Sequence, residues 1–84
     1  MINKVENLLL DYGYDGVVYF TNPSYERAFL GVSTDDRAIY DFDLMVESLM
    51  EEEGMTEEDA AEWIDYNCSY YFDGCPIIMH RLEG

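Results

Sequence analysis

An α+β fold is predicted for this chain: a small antiparallel sheet of three to four strands carrying about three helices, in the order α-β-β-β-α-α-β. Three observations point there. Apolar residues recur at helical spacing near the N-terminus and again after Asp41, and between these segments lie short β-branched and aromatic runs separated by turn residues. No linker or internal repeat divides the chain, so residues 1–84 form a single compact domain. A domain this short removes only about 60% of its unfolded surface from water, which leaves a thin core.

The first helix is expected over residues 2–11, where Ile2, Val5, Leu9 and Tyr12 fall on one face with Leu8 beside them. Asp11-Tyr-Gly-Tyr-Asp-Gly16 stops it. The run Val17–Thr21 reads as a first strand, with turn chemistry at Asn22-Pro-Ser24. Strands over Arg27–Val32 and Arg37–Tyr40 flank Ser33-Thr-Asp-Asp36, a hairpin signal. The period then changes. Asp43 is the expected cap of a helix bearing Met45, Val46, Leu49 and Met50, which ends at Gly54, a residue suited to the left-handed position after a helix. Thr56-Glu-Glu-Asp59 resembles a capping box and opens a second helix that carries Ala60, Ala61, Trp63, Ile64 and Asn67. The apolar run Pro76–His80 closes the sheet as a last strand.

Charge is the extreme property. Nineteen acidic residues against four basic ones give a net charge of −15, while 49% of residues are apolar and 15% aromatic. That apolar content exceeds what a disordered acidic tail carries, so the charge belongs to a folded protein. Such a surface repels nucleic acid and anionic membrane and attracts basic partners. No run approaches the length of a membrane span and no signal-peptide pattern opens the chain, which predicts a cytoplasmic protein with reduced cysteines.

Eleven of the acids lie between Asp41 and Asp65: Asp41, Asp43, Glu47, Glu51, Glu52, Glu53, Glu57, Glu58, Asp59, Glu62 and Asp65. No Lys, Arg or His interrupts residues 38–79. Exposed helices ordinarily place Lys or Arg one turn from a carboxylate, whereas like-charge neighbours cost about 0.2–0.5 kcal/mol each. A wholly helical band would carry one charge per about 3.4 Å, the axial phosphate density of a DNA strand, with Gly54 bending the path. The eleven acids are therefore the expected partner-binding surface. A solvated helical face is the bland alternative, and the first turn of the second helix in the band accounts for some of the charge, since the helix dipole favours carboxylates there.

Other chemistry is weakly patterned. Calcium-loop spacing fails from Asp11, which meets Gly13 and Asn22 at ligand positions, and from Asp41, which lacks the required glycine. Cys68, Cys75 and His80 are spaced too loosely for a structural zinc site and have no fourth ligand. His80 near Cys75 and Asp73 makes no triad by chain proximity, and neither a nucleophile elbow nor a phosphate-binding glycine loop occurs. No cofactor, no metal and no enzymatic activity are expected. Tyr66, Tyr70, Tyr71 and Phe72 crowd one segment, either as core or as a binding surface beside the carboxylates.

Asn22-Pro-Ser-Tyr25, Ile39–Met45, Leu49–Thr56, Ala61–Asn67 and Pro76–Met79 together resemble a family of small acidic proteins encoded by phages, prophages and mobile elements of Gram-positive bacteria. The resemblance covers about residues 14–79 and departs from the family pattern at Cys68–Cys75. It implies a phage setting, in which host nucleases and CRISPR effectors with basic nucleic-acid channels are targets worth neutralising. The expected function is a nucleic-acid mimic of anti-CRISPR or anti-restriction type that inhibits or modulates a basic nucleic-acid-binding host protein. The alternative is a phage structural or accessory protein that binds one partner through an apolar patch.

Overall fold

The computed structural model describes residues 3–21, 23–68 and 71–82. Ile2 of the predicted apolar stripe, Asn22 of the predicted turn and Tyr70 of the aromatic segment lie outside them. Among the described residues, three α-helices and a three-stranded mixed sheet form an α+β fold. Helix α1 spans Lys4–Asp11, β1 Phe29–Val32, β2 Ala38–Asp41, α2 Phe42–Glu53, α3 Glu57–Asn67 and β3 Ile77–Met79. The sheet order is β1-β2-β3, with β1 and β2 antiparallel.

Helix α1 starts where Asn3 turns its side-chain oxygen back to accept the Val5 N–H at 2.8 Å. Glu26 adds a second cap from a distant segment, accepting from the Lys4 N–H at 2.9 Å. Val5 and Leu9 bury the inner face, while Leu8 and Tyr12 of the predicted stripe stay exposed.

The strand expected over Val17–Thr21 does not form. This segment has no regular secondary structure; it buries Val17 and packs Tyr19 and Phe20 on the core, and Phe20 bonds to side chains in place of a ladder. The Phe20 N–H donates to the Tyr40 hydroxyl at 3.2 Å, and the Phe20 carbonyl accepts from Asn3 Nδ2 at 3.1 Å. Its β-rich composition reflects burial, and burial needs no sheet partner. Residues Glu26–Ala28 form a 3-10 turn, which shortens the next strand to begin at Phe29. Tyr25 ahead of that turn is left-handed at φ 50°, ψ 38° and is held by its buried ring. The β1–β2 pairing runs from Phe29 opposite Tyr40 to Val32 opposite Ala38, with a bulge between Phe29 and Gly31.

Asp41, not Asp43, caps α2. Its Oδ1 accepts from the Asp43 N–H at 2.9 Å and the Leu44 N–H at 3.5 Å. The reason is continuity: β2 runs straight into α2, so the last strand residue holds the extended backbone a cap requires, while Asp43 is already in the first helical turn. Gly54 takes the left-handed position at φ 69°, as expected. Thr56 Oγ1 then caps α3 by accepting the Asp59 N–H at 3.2 Å.

Strand β3 pairs with β2 in parallel, Ile39 opposite Ile77 and Asp41 opposite Met79, so the sheet is mixed and not wholly antiparallel. Parallel neighbours need a long crossover. Residues 42–76 supply it, because the α2–α3 hairpin and the segment after it bring the chain back to the end of the sheet where β2 begins. The core joins Val5, Leu9, Tyr40, Met45, Leu49 and Ile64, with Phe20 packed edge-on against Tyr25 at 5.4 Å and tilted on Tyr40 at 4.7 Å between ring centres.

Candidate functional site

At about 100° per residue, α2 separates a buried side from a stripe that carries Asp43, Glu47 and Glu51 one turn apart. Helix α3 does the same with Glu58, Glu62 and Asp65, and Glu52, Glu53, Glu57 and Asp59 cluster around the Gly54 turn. All ten of these side chains are exposed. The spacing along each stripe is therefore about 6 Å per charge, and the band's charge is divided between two packed helices and the turn that joins them.

Asp41 does not belong to this surface. It is 0% exposed, its Oδ1 caps α2, and its Oδ2 lies 3.1 Å from Arg81 Nε. A carboxylate this buried costs several kcal/mol unless it is paired and hydrogen-bonded, and here it is both, so its role is structural.

Glu51 is exposed but engaged: Arg27 Nη1 lies 2.6 Å from its Oε2. The pair raises the Arg27 pKa, through the Glu51 contact first, with the fields of Glu51, Glu52 and Glu47 in support. The band thus receives a cation across the fold, from the 3-10 turn packed on α2. Sequence spacing gives no sign of it, because the two residues meet only after folding. Asp43, Glu47, Glu52, Glu53, Glu57, Glu58, Asp59 and Glu62 close no ion pair with described residues.

Two depressions take six of these ten exposed carboxylates. A small one of about 250 Å³ between α2 and α3 takes Asp43, Glu47 and Glu57 beside Phe42, Met50 and Ala61. An open groove of about 790 Å³ takes Asp59, Glu62 and Asp65 beside Met55, Trp63 and Tyr66. Trp63 also walls a separate aromatic cleft of about 360 Å³ with Tyr19, Phe20, Tyr25 and Phe72. Composition showed that aromatics stand near the acids, but only helix packing shows that Trp63 faces both depressions.

Cys68, Cys75 and His80 line one further depression. Among the described residues, however, no three His, Cys, Asp or Glu side chains converge closely enough to hold a metal ion. Cys75 is buried against Arg37, whose Nε donates to the Cys75 carbonyl at 2.8 Å and whose Nη2 lies 3.3 Å from its sulfur. Burial pushes the Cys68 thiol up, opposed by a contact with the Tyr25 hydroxyl, which disfavours the reactive thiolate. His80 lies on the Phe42 ring at 4.6 Å, so Cys75 and His80 meet different partners.

Among the described residues no helix is long and apolar enough to cross a membrane. No known protein family, curated protein or solved structure matches the chain.

Proposed function

We propose that the protein is an acidic decoy that occupies the nucleic-acid-binding surface of a basic protein, in the manner of phage inhibitors of host nucleases. The observation that carries this reading is the α2–α3 hairpin, which presents ten exposed carboxylates, three in a stripe on each helix and four near the turn between them. Two packed stripes of like charge raise the local potential more than scattered acids would, and they suit a groove lined with Lys and Arg. Affinity comes from release of counterions at that groove together with desolvation of exposed aromatics beside it.

The test is displacement of labelled duplex DNA from basic nucleases and RNA-guided effectors of a bacterial host, followed by anisotropy at several salt concentrations. Replacing Glu47, Glu52, Glu53 and Glu57 with Gln is expected to weaken displacement about tenfold or more. Replacing Asp11, Asp15, Asp36 and Asp73 with Asn, which removes the same charge elsewhere, is expected to do much less. Equal losses from both variants would reduce the effect to net charge and end the reading.

A second reading has its own observation. Exposed Leu8, Tyr12, Tyr14 and Leu30 line an apolar groove between α1 and β1, which suits an accessory protein that docks one partner there. Docking through that groove would be nearly independent of salt, whereas the decoy weakens steeply as salt rises.

A further inference from the structure

Trp63 stands on α3 between the aromatic cleft and the acidic groove, 40% exposed, and Tyr66, 86% exposed, lies three residues further along the same helix face. Trp63 shares the wall of the aromatic cleft with Tyr25, which is itself buried, so one side of the indole borders the core while the other faces the groove. Beside these rings stand the carboxylates of Asp59 and Glu62.

Exposed aromatic faces flanked by carboxylates favour one cation above the other. A guanidinium is planar and weakly hydrated, stacks on aromatic rings, and presents a fork of donors that matches a carboxylate. An ammonium is compact, strongly hydrated and lacks the fork. The chain's own arginines are committed elsewhere: Arg27 to Glu51, Arg37 to the Cys75 carbonyl, and Arg81 to Asp41.

We propose that the Trp63–Tyr66 groove seats an arginine of the basic partner, while a large apolar side chain next to that arginine enters the aromatic cleft on the other side of Trp63. The inference rests on the reading that the partner is basic. It adds the chemistry of the contact at the centre of the interface, where the acids of α2 supply attraction and the Trp63 ridge supplies selectivity.

The chain has one tryptophan, so its fluorescence reports on the groove directly. The probe is the peptide acetyl-Gly-Phe-Arg-Gly-amide, with Lys, citrulline and Ala-for-Phe analogues, titrated at physiological ionic strength. A saturable change in emission is expected with the Phe-Arg peptide, with binding at least about fivefold weaker for Phe-Lys and lost for citrulline. Replacing Phe by Ala also weakens binding. Tyr66→Ala and Glu62→Gln, both at exposed helix positions, each weaken it about three- to tenfold. Equal binding of the Lys and Arg peptides, no saturable change at millimolar peptide, or indifference to both substitutions would overturn the assignment. Loss of peptide binding in a protein that still displaces DNA through its α2 acids would remove the groove alone. Arginine-selective peptide binding in a protein that displaces DNA from no basic partner would keep the groove and remove the decoy reading.

Discussion

Asp41 and Ser48 show what a single buried polar residue costs or contributes in so thin a core. Asp41 Oδ1 accepts from two backbone N–H groups at the start of α2, while its buried Oδ2 takes no hydrogen bond among the described residues and is ion-paired with the Arg81 guanidinium at 3.1 Å. Asp41→Ala removes a helix cap and leaves those groups unsatisfied, so a loss of about 2–3 kcal/mol is expected in urea unfolding. Asp41→Asn keeps an acceptor for the cap and should lose less. A near-neutral alanine variant would show that the cap does not hold α2 to β2. Ser48 is the opposite case. Its hydroxyl is buried and has no hydrogen-bond partner among the described residues. Ser48→Ala is expected to stabilise by about 0.5–1 kcal/mol, since removing an unsatisfied hydroxyl recovers its desolvation cost and alanine is the better helix former. Destabilisation in the same assay would mean that the hydroxyl is satisfied in solution.

The α2–α3 hairpin is the element on which both proposals depend, and its turn sets how the two acidic stripes face outward. Gly54 and Met55 both direct their N–H groups to the Leu49 carbonyl, which is possible because Gly54 adopts φ 69°. A side chain added at Gly54 would meet no neighbouring atom, so any penalty there is conformational and not steric crowding. Gly54→Ala is expected to cost about 1 kcal/mol, the ordinary difference between glycine and alanine in the left-handed region. Because the turn sets the approach of the stripes, the same variant should weaken DNA displacement more than it lowers stability. A change in stability alone would separate the hairpin geometry from binding.

At the scale of the whole molecule, two opposing fields set stability. A net charge of −15 repels itself, and Arg27 relieves only one part of the band. Raising salt from low to physiological strength screens that repulsion, so the melting temperature is expected to rise. A flat or falling melting temperature would contradict net repulsion in the native state. The alkaline limit comes from the core. Burial first, and the Tyr19 field after it, push the Tyr40 phenol up to about 12, against the Phe20 N–H contact that pulls it down. Burial likewise raises Tyr25. Below the ordinary phenol value of about 10 both groups keep their protons in the folded and unfolded states alike, so stability is unaffected there. Between about pH 10 and 12 the unfolded chain ionises first, and stability is expected to fall as pH rises through that window. Unfolding free energy in urea that stays constant between about pH 10 and 12 would contradict this.

How much of this was legible in the chain depended on whether the cause was local. Period, caps and turn residues act within a few positions, which is why α2 with its stop at Gly54, α3 with its Thr56 cap, the β1–β2 hairpin and the α+β class could be read directly. The exposure of ten of the eleven band acids was equally legible, because carboxylates are rarely buried. The remaining features were decided by groups that meet across the fold. Val17–Thr21 had strand composition but found side-chain partners in Asn3 and Tyr40. Asp41 looked like its acidic neighbours until β2 and Arg81 enclosed it. Arg27 reached Glu51 from another element, β3 turned parallel because two helices returned the chain, and Trp63 came to wall two depressions only when α3 packed beside the 17–25 segment. Local sequence sets what each segment can form, but a buried polar group, a strand direction or a groove depends on which distant surface removes water from it, and only the tertiary structure decides that.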